Sequence, residues 1–153
     1  MKLFIPTIGT LLELRKQWSF GLYNEYRNES YFAWAGLHFL SYAETRDLPV
    51  GSFDKNGDLP PTIVTLPSLS RLRVDRIYIR KGVGEFDSVT FLLQGAKTAS
   101  KVEKRTYRVV KGLGQHENHE YERKIPARGV RFWAKLDDVN NMDVLVVPVA
   151  AKT

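Results

Sequence analysis

Cysteine is absent from all 153 residues of the chain. Disulfides, thiolate nucleophiles and cysteine-rich zinc sites are therefore excluded, and the fold has to be held by its core and its hydrogen bonds. Long apolar runs are missing too. No stretch approaches the roughly 18 consecutive apolar residues of a membrane-spanning helix. The opening "MKLFIPTIGTLLEL" carries one lysine and a short apolar patch, but Pro6 and Gly9 interrupt it and Glu13 follows, which makes a poor secretory segment. A cytoplasmic protein with no membrane partner is the expectation. Phosphate-binding glycine loops, the dinucleotide fingerprint and the G-x-S-x-G nucleophile turn are also lacking, so no cofactor is implied.

Basic and aromatic residues are what the chain does have. Lys and Arg number 23 against 17 Asp and Glu, a formal charge of +6, and aromatic residues make up 12%. That balance favours anionic partners. The hydrophobic share of 43% is ordinary for a globular protein. The length suits one domain over residues 1–150, with 151–153 as a tail.

Strand-like segments follow one another at short intervals. "IGTLLELRKQWSFGLY" (8–23) reads as two short strands or one bent strand, "TIVTL" (62–66) as a strand ending at Pro67, "RLRVDRIYIRK" (71–81) as a long strand and "FDSVTFLLQG" (86–95) as another. "VEKRTYRVVK" and "HEYERKI" flank the turn-rich "GLGQHEN" as a hairpin, and "GVRFWAKL" and "MDVLVVPV" flank "DDVNN" as a second. Residues 47–61, with three prolines and the Asn56–Gly57 pair, read as a surface loop. The aromatic stretch 24–44 favours a strand over a helix. In the helical alternative, Ser30 caps a face of Tyr31, Trp34, Ala35 and His38. Together these predict an all-β, mainly antiparallel sandwich or partly open barrel of about seven to nine strands, with room for one short helix near 30–44.

The densest positive charge lies on residues 71–81. Leu72 and Val74 share one parity of an extended strand and Ile77 and Ile79 the other, so the apolar side switches near Asp75–Arg76, as a β-bulge would require. Arg71 and Arg73 before the switch, and Arg76, Tyr78 and Arg80 after it, then face away from the core, with Lys81 following. Guanidinium groups flanking a phenol suit phosphates and bases. On the first hairpin, Lys104, Thr106 and Arg108 share one parity, and Arg105 and Tyr107 the other. In "ARGVRFWAKL", Arg131, Trp133 and Lys135 stand opposite a buried side of Val130, Phe132, Ala134 and Leu136. The plainer account of these cations is a solvated face balanced by acidic neighbours such as Glu103 or Glu122.

Other groupings carry less. His116, Glu117, His119 and Glu120 offer metal ligands, but H-E-N-H is one residue short of the helical H-E-x-x-H spacing. Glu122 and Lys124, with Asp75 or Asp87, are the minimum of a magnesium nuclease site. Asp54, Asn56 and Asp58 begin like a calcium loop, yet Pro60 and Pro61 block its continuation. Asn28-Glu29-Ser30 has the form of a glycosylation acceptor, without a secretory segment to give it meaning. Trp18, Tyr23, Tyr26, Arg27 and Asn28 could wall a small-molecule pocket. The foremost expectation is a non-enzymatic module that binds an anionic, phosphate-bearing partner, above all nucleic acid, through Arg71, Arg73, Arg76, Tyr78, Arg80, Lys81, Arg105, Arg108, Arg131, Trp133 and Lys135. The alternatives are a protein that sequesters or senses a nucleotide or other phosphorylated small molecule in the aromatic pocket, and a metal-dependent nuclease or hydrolase. The general texture, a compact β protein without a known motif, is of the kind carried by phages and mobile elements.

Overall fold

A computed structural model of the chain describes residues 6–54, 57–80 and 87–148. Among the described residues there are nine strands, and every ladder between them is antiparallel. They are β1 (Leu11–Leu14), β2 (Trp18–Leu22), β3 (Thr62–Leu66), β4 (Arg71–Tyr78), β5 (Ser88–Lys97), β6 (Lys101–Gly112), β7 (Gln115–Ile125), β8 (Gly129–Lys135) and β9 (Val144–Val147). The all-β expectation holds. Five strands form one sheet in the order β8-β5-β4-β1-β9, β2 pairs with β3, and β6 pairs with β7, and the described strands close no barrel.

The alternation of apolar residues decides which side of the large sheet is the core. Leu72 and Val74 of β4, Val89, Phe91 and Leu93 of β5, and Val130, Phe132 and Ala134 of β8 all point to one side and are buried. The β2–β3 ribbon covers that side. Phe20 stacks on Phe132 with ring centres 4.9 Å apart, and Trp18 meets Phe91 edge-on at 6.1 Å. Burying these rings is the main source of stability, since each aromatic side chain removes a large apolar area from water.

The predicted bulge is present, as the β4–β5 register shifts between Val74 and Arg76. It lets Ile77 return to the core side, where it is partly buried. Ile79 departs from the expectation and is 54% exposed. The reason is pairing: Tyr78, the last residue of β4, already sits opposite Ser88, the first residue of β5, so Ile79 has no β5 residue opposite it.

Residues 24–44 correct the preference for a strand. Helix α1 spans Glu29–Ala35 and α2 spans Tyr42–Arg46. Gly36, at φ 70°, ends α1 in the left-handed conformation that glycine adopts without a Cβ penalty. Tyr31 and Phe32 enter the core, and the Tyr31 ring meets Phe132 edge-on at 5.1 Å. Asn28, not Ser30, is the N-cap residue, and His38 lies beyond the helix with its ring nitrogen 2.6 Å from Glu44.

The predicted C-terminal hairpin is also corrected. β8 and β9 lie at opposite edges of the five-stranded sheet, joined through α3 (Leu136–Val139), because β9 pairs with β1 instead. The loop 47–61 is largely as expected. Asp58 N–H donates to the Asp54 carboxylate at 2.9 Å, closing a turn with Gly57 at φ 81°. Asn56 of that turn lies outside the described residues, as do the glycine pair at 82–84 and the tail at 151–153.

The β6–β7 ribbon emerges from the connection between β5 and β8. At its base the Thr98 N–H donates to the Arg128 carbonyl at 2.8 Å, and the Arg128 N–H returns to the Thr98 hydroxyl at 3.0 Å. Beyond that clamp its two strands pair only with each other.

Candidate anion-binding face and basic arm

Three rows across the large sheet, on the side away from the core, gather six of the expected binding residues. The ladders align Arg73, Leu92 and Arg131 in one row, Arg76, Thr90 and Trp133 in the next, and Tyr78, Ser88 and Lys135 in a third. β4 and β8 are not neighbours. β5 runs between them, and its small Ser88 and Thr90 let the long side chains on either flank approach each other. The bulge turns Asp75 to the same side as Arg76, where its carboxylate takes the Arg131 guanidinium at 2.9 Å.

Residues 23–28 cross the free edge of β8 and fold over this side. Edge strands expose unpaired donors. Here the Ser30 hydroxyl accepts the Arg131 N–H at 2.9 Å and donates to the Arg131 carbonyl, while Asn28 Oδ1 accepts the Trp133 N–H at 2.8 Å. Asn28 Nδ2 donates to the Tyr23 carbonyl at 3.0 Å. Tyr23 is thereby laid flat on Trp133, with ring centres 5.2 Å apart and planes 9° from parallel.

A column of alternating cations and rings results. Lys135 Nζ lies 4.7 Å from the Tyr23 ring, and the Arg27 guanidinium sits 5.7 Å from Trp133 and 5.5 Å from Tyr78. Arg80 follows, its guanidinium 5.4 Å from the centre of the Tyr78 ring. Glu25 ties the column together, accepting from Arg27 Nε at 2.9 Å and from the Trp133 indole N–H. The sequence divides these residues between a binding face and an alternative pocket; the fold brings Tyr23, Arg27, Tyr78 and Trp133 together. Trp133 itself is only 3% exposed, so it positions its neighbours and offers no open ring to a base.

Of the other pocket candidates, Trp18 is in the core with its indole N–H on the Asp138 carbonyl, Asn28 is wholly buried, and Tyr26 is exposed. Tyr23 and Arg27 line a cleft of about 330 Å³ together with Asn24, Phe53, Glu25 and Asp58. Two carboxylates on its wall, with Arg27 already held by Glu25, make it a poor receptacle for phosphate.

Carboxylates also occupy some of the sheet's arginines. Arg71 pairs with Glu13 at 3.1 Å, as Arg131 does with Asp75. Arg73, Arg76 and Arg80 meet neutral groups. Arg73 donates to the Gly9 carbonyl at 3.0 Å, Arg76 reaches the Tyr78 hydroxyl at 3.5 Å, and Arg80 lies over the Tyr78 ring. The hydrogen bond from Arg76 holds the Tyr78 hydroxyl below the usual tyrosine range, and the same contact raises Arg76 further. These three exposed guanidiniums are the part of the face available to an anion. Lys81 lies outside the described residues.

Arg105 and Arg108 are on the arm, on opposite faces of the ribbon. Arg105 pairs with Glu103 at 3.2 Å, and Arg108 stands across from Asn118. The residues Gly112–Asn118, expected as a broad turn, are mostly strand, and only Leu113 and Gly114 lie between the paired Gly112 and Gln115. His116 and His119 therefore fall on opposite faces, and His119 bonds Glu117 at 3.0 Å. No cluster of three or more metal-ligating side chains occurs among the described residues. Glu122 and Lys124 are exposed on the ribbon opposite Lys104 and Val102, whereas Asp75 holds Arg131 and Asp87 accepts the Arg80 N–H. No described helix is long and apolar enough to cross a membrane.

Compared with protein-family models, with curated proteins and with solved structures, the chain matches none.

Proposed function

We propose that the protein is a nucleic-acid-binding module that grips phosphates with Arg73, Arg76 and Arg80 on the large sheet and with the β6–β7 arm. One observation carries the reading. The arm adds no side chain to the buried core, yet it holds Lys101, Lys104, Arg105, Arg108, Lys111, Arg123 and Lys124 against Glu103, Glu117, Glu120 and Glu122. A strand of 12 residues extends about 40 Å at roughly 3.3 Å per residue, enough to follow a groove for about one turn. A two-stranded ribbon of this kind is among the elements that fit a DNA groove. The carboxylates lining the cleft beside Tyr23 favour nucleic acid over a free nucleotide as the anionic partner.

Fluorescence anisotropy with single- and double-stranded oligonucleotides across a salt series tests this. Binding should weaken steeply with salt, because each phosphate contact releases counterions. Arg76→Ala with Arg80→Ala should cost no more than about 0.5 kcal/mol of stability each, as exposed positions do, while weakening binding and flattening the salt dependence. Absence of binding at low salt, or a double variant that binds as well as the parent, would overturn the proposal.

A further inference from the structure

The tip of the arm carries a side chain that neither the fold nor phosphate binding explains. Leu113 is fully exposed and stands between Gly112 (φ 136°) and Gly114 (φ 77°). Two-residue hairpin turns are served best by glycine, asparagine or aspartate, and leucine adds nothing to the turn. Its neighbour Val110 is exposed as well, while Lys111 bonds Glu117 across the ribbon at 2.8 Å just behind the tip. With no Cβ on either flanking residue, the leucine side chain stands clear at the turn of the ribbon. Further down, Tyr107 stacks on His119 at 5.4 Å and contacts Tyr121 at 5.7 Å, bracing one face of the ribbon.

Resting on the nucleic-acid reading, we infer that Leu113 is a wedge that enters between two base pairs of duplex DNA and kinks it. Apolar side chains at the points of architectural proteins unstack a base step from the minor groove in this way, and the bend lets the duplex reach more of the protein's basic surface. The ribbon's cations are spread along its length, as contact with a phosphate track requires. A membrane surface fits less well, because one leucine and one valine supply little apolar area for insertion.

The test uses the full-length protein and a duplex of about 25 base pairs with a fluorophore at each end, reading binding by anisotropy and bending by energy transfer. The parent should raise energy transfer on binding. Leu113→Ala should still bind the duplex at low salt, more weakly and with a shallower salt slope because the unbent duplex reaches fewer cations, and lose most of the bending signal; Leu113→Met should keep it. Binding without bending, or bending that survives Leu113→Ala, would overturn the wedge and leave the nucleic-acid reading standing. Failure to bind any oligonucleotide at low salt would overturn both. Capture by phosphatidylserine vesicles that depends on Leu113, with no duplex bending, would assign the tip to a membrane surface instead.

Discussion

Replacing Asn28 by alanine should be among the most damaging single changes outside the aromatic core. The side chain is wholly buried and makes two hydrogen bonds, accepting the distant Trp133 N–H at 2.8 Å and donating to the nearby Tyr23 carbonyl at 3.0 Å. Truncation strands a buried donor on the edge of β8, which costs about 1–3 kcal/mol, and a smaller loss at the Tyr23 carbonyl and the vacated volume add to it. About 2–4 kcal/mol in all is expected. With a urea m-value of roughly 2 kcal/mol per molar, the unfolding midpoint should fall by about 1–2 M. Tryptophan fluorescence and near-ultraviolet circular dichroism would follow it, since Trp133 lies directly under the missing group. Asn28→Asp separates the two bonds: it retains an acceptor for Trp133 but places a second oxygen against the Tyr23 carbonyl, so it should also destabilise. A loss below about 0.5 kcal/mol for Asn28→Ala would show that the β8 edge does not need this cap and would refute the argument.

Two further outcomes follow from buried polar atoms. The Thr90 hydroxyl is buried with no hydrogen-bond partner among the described residues, so Thr90→Val should be neutral or stabilising by up to about 1 kcal/mol in the same urea titration. A loss greater than that would mean the hydroxyl is satisfied after all. Burial pushes the Tyr31 hydroxyl up to about 12. The folded state then keeps this proton where the unfolded chain has released it, so the contribution is fully present below about pH 10 and is lost as pH rises toward 12, by roughly 2–3 kcal/mol at most. Tyr31→Phe should remove that part of the alkaline decline. If variant and parent lose stability in parallel between pH 10 and 12, the assignment to Tyr31 fails.

Local alternation was enough to place β4, β5 and β8 and to locate the bulge, because a residue's parity on a strand is set by its immediate neighbours. The errors arose where the deciding contact is distant. Asn28 and Ser30 look like ordinary polar residues until β8, about a hundred positions later, is laid beside them, and without that edge the aromatic run 24–44 favours a strand. β8 and β9 look like a hairpin because they are consecutive, but pairing to β1 wins. Gln115–Asn118 reads as loop because it is polar, yet a ribbon standing clear of the core needs no apolar side to keep its ladder. For the site, the outward positions of Arg76 and Arg131 could be read from the sequence. That Asp75 would neutralise one of them, and that Tyr23 would cover Trp133, depended on strand order and on the path of residues 23–28.

The clamp between Thr98 and Arg128 closes the large sheet before the arm begins. Residues 99–127 are thus an insertion within a complete β5–β8 connection, and their substitutions do not have to pass through the packing of the core. Selection can lengthen the arm, change its charge or alter its tip while the sheet beneath keeps its register. The arm and the packed core are thereby placed on separate stretches of chain, so sequences that share this sheet can diverge most rapidly in the arm.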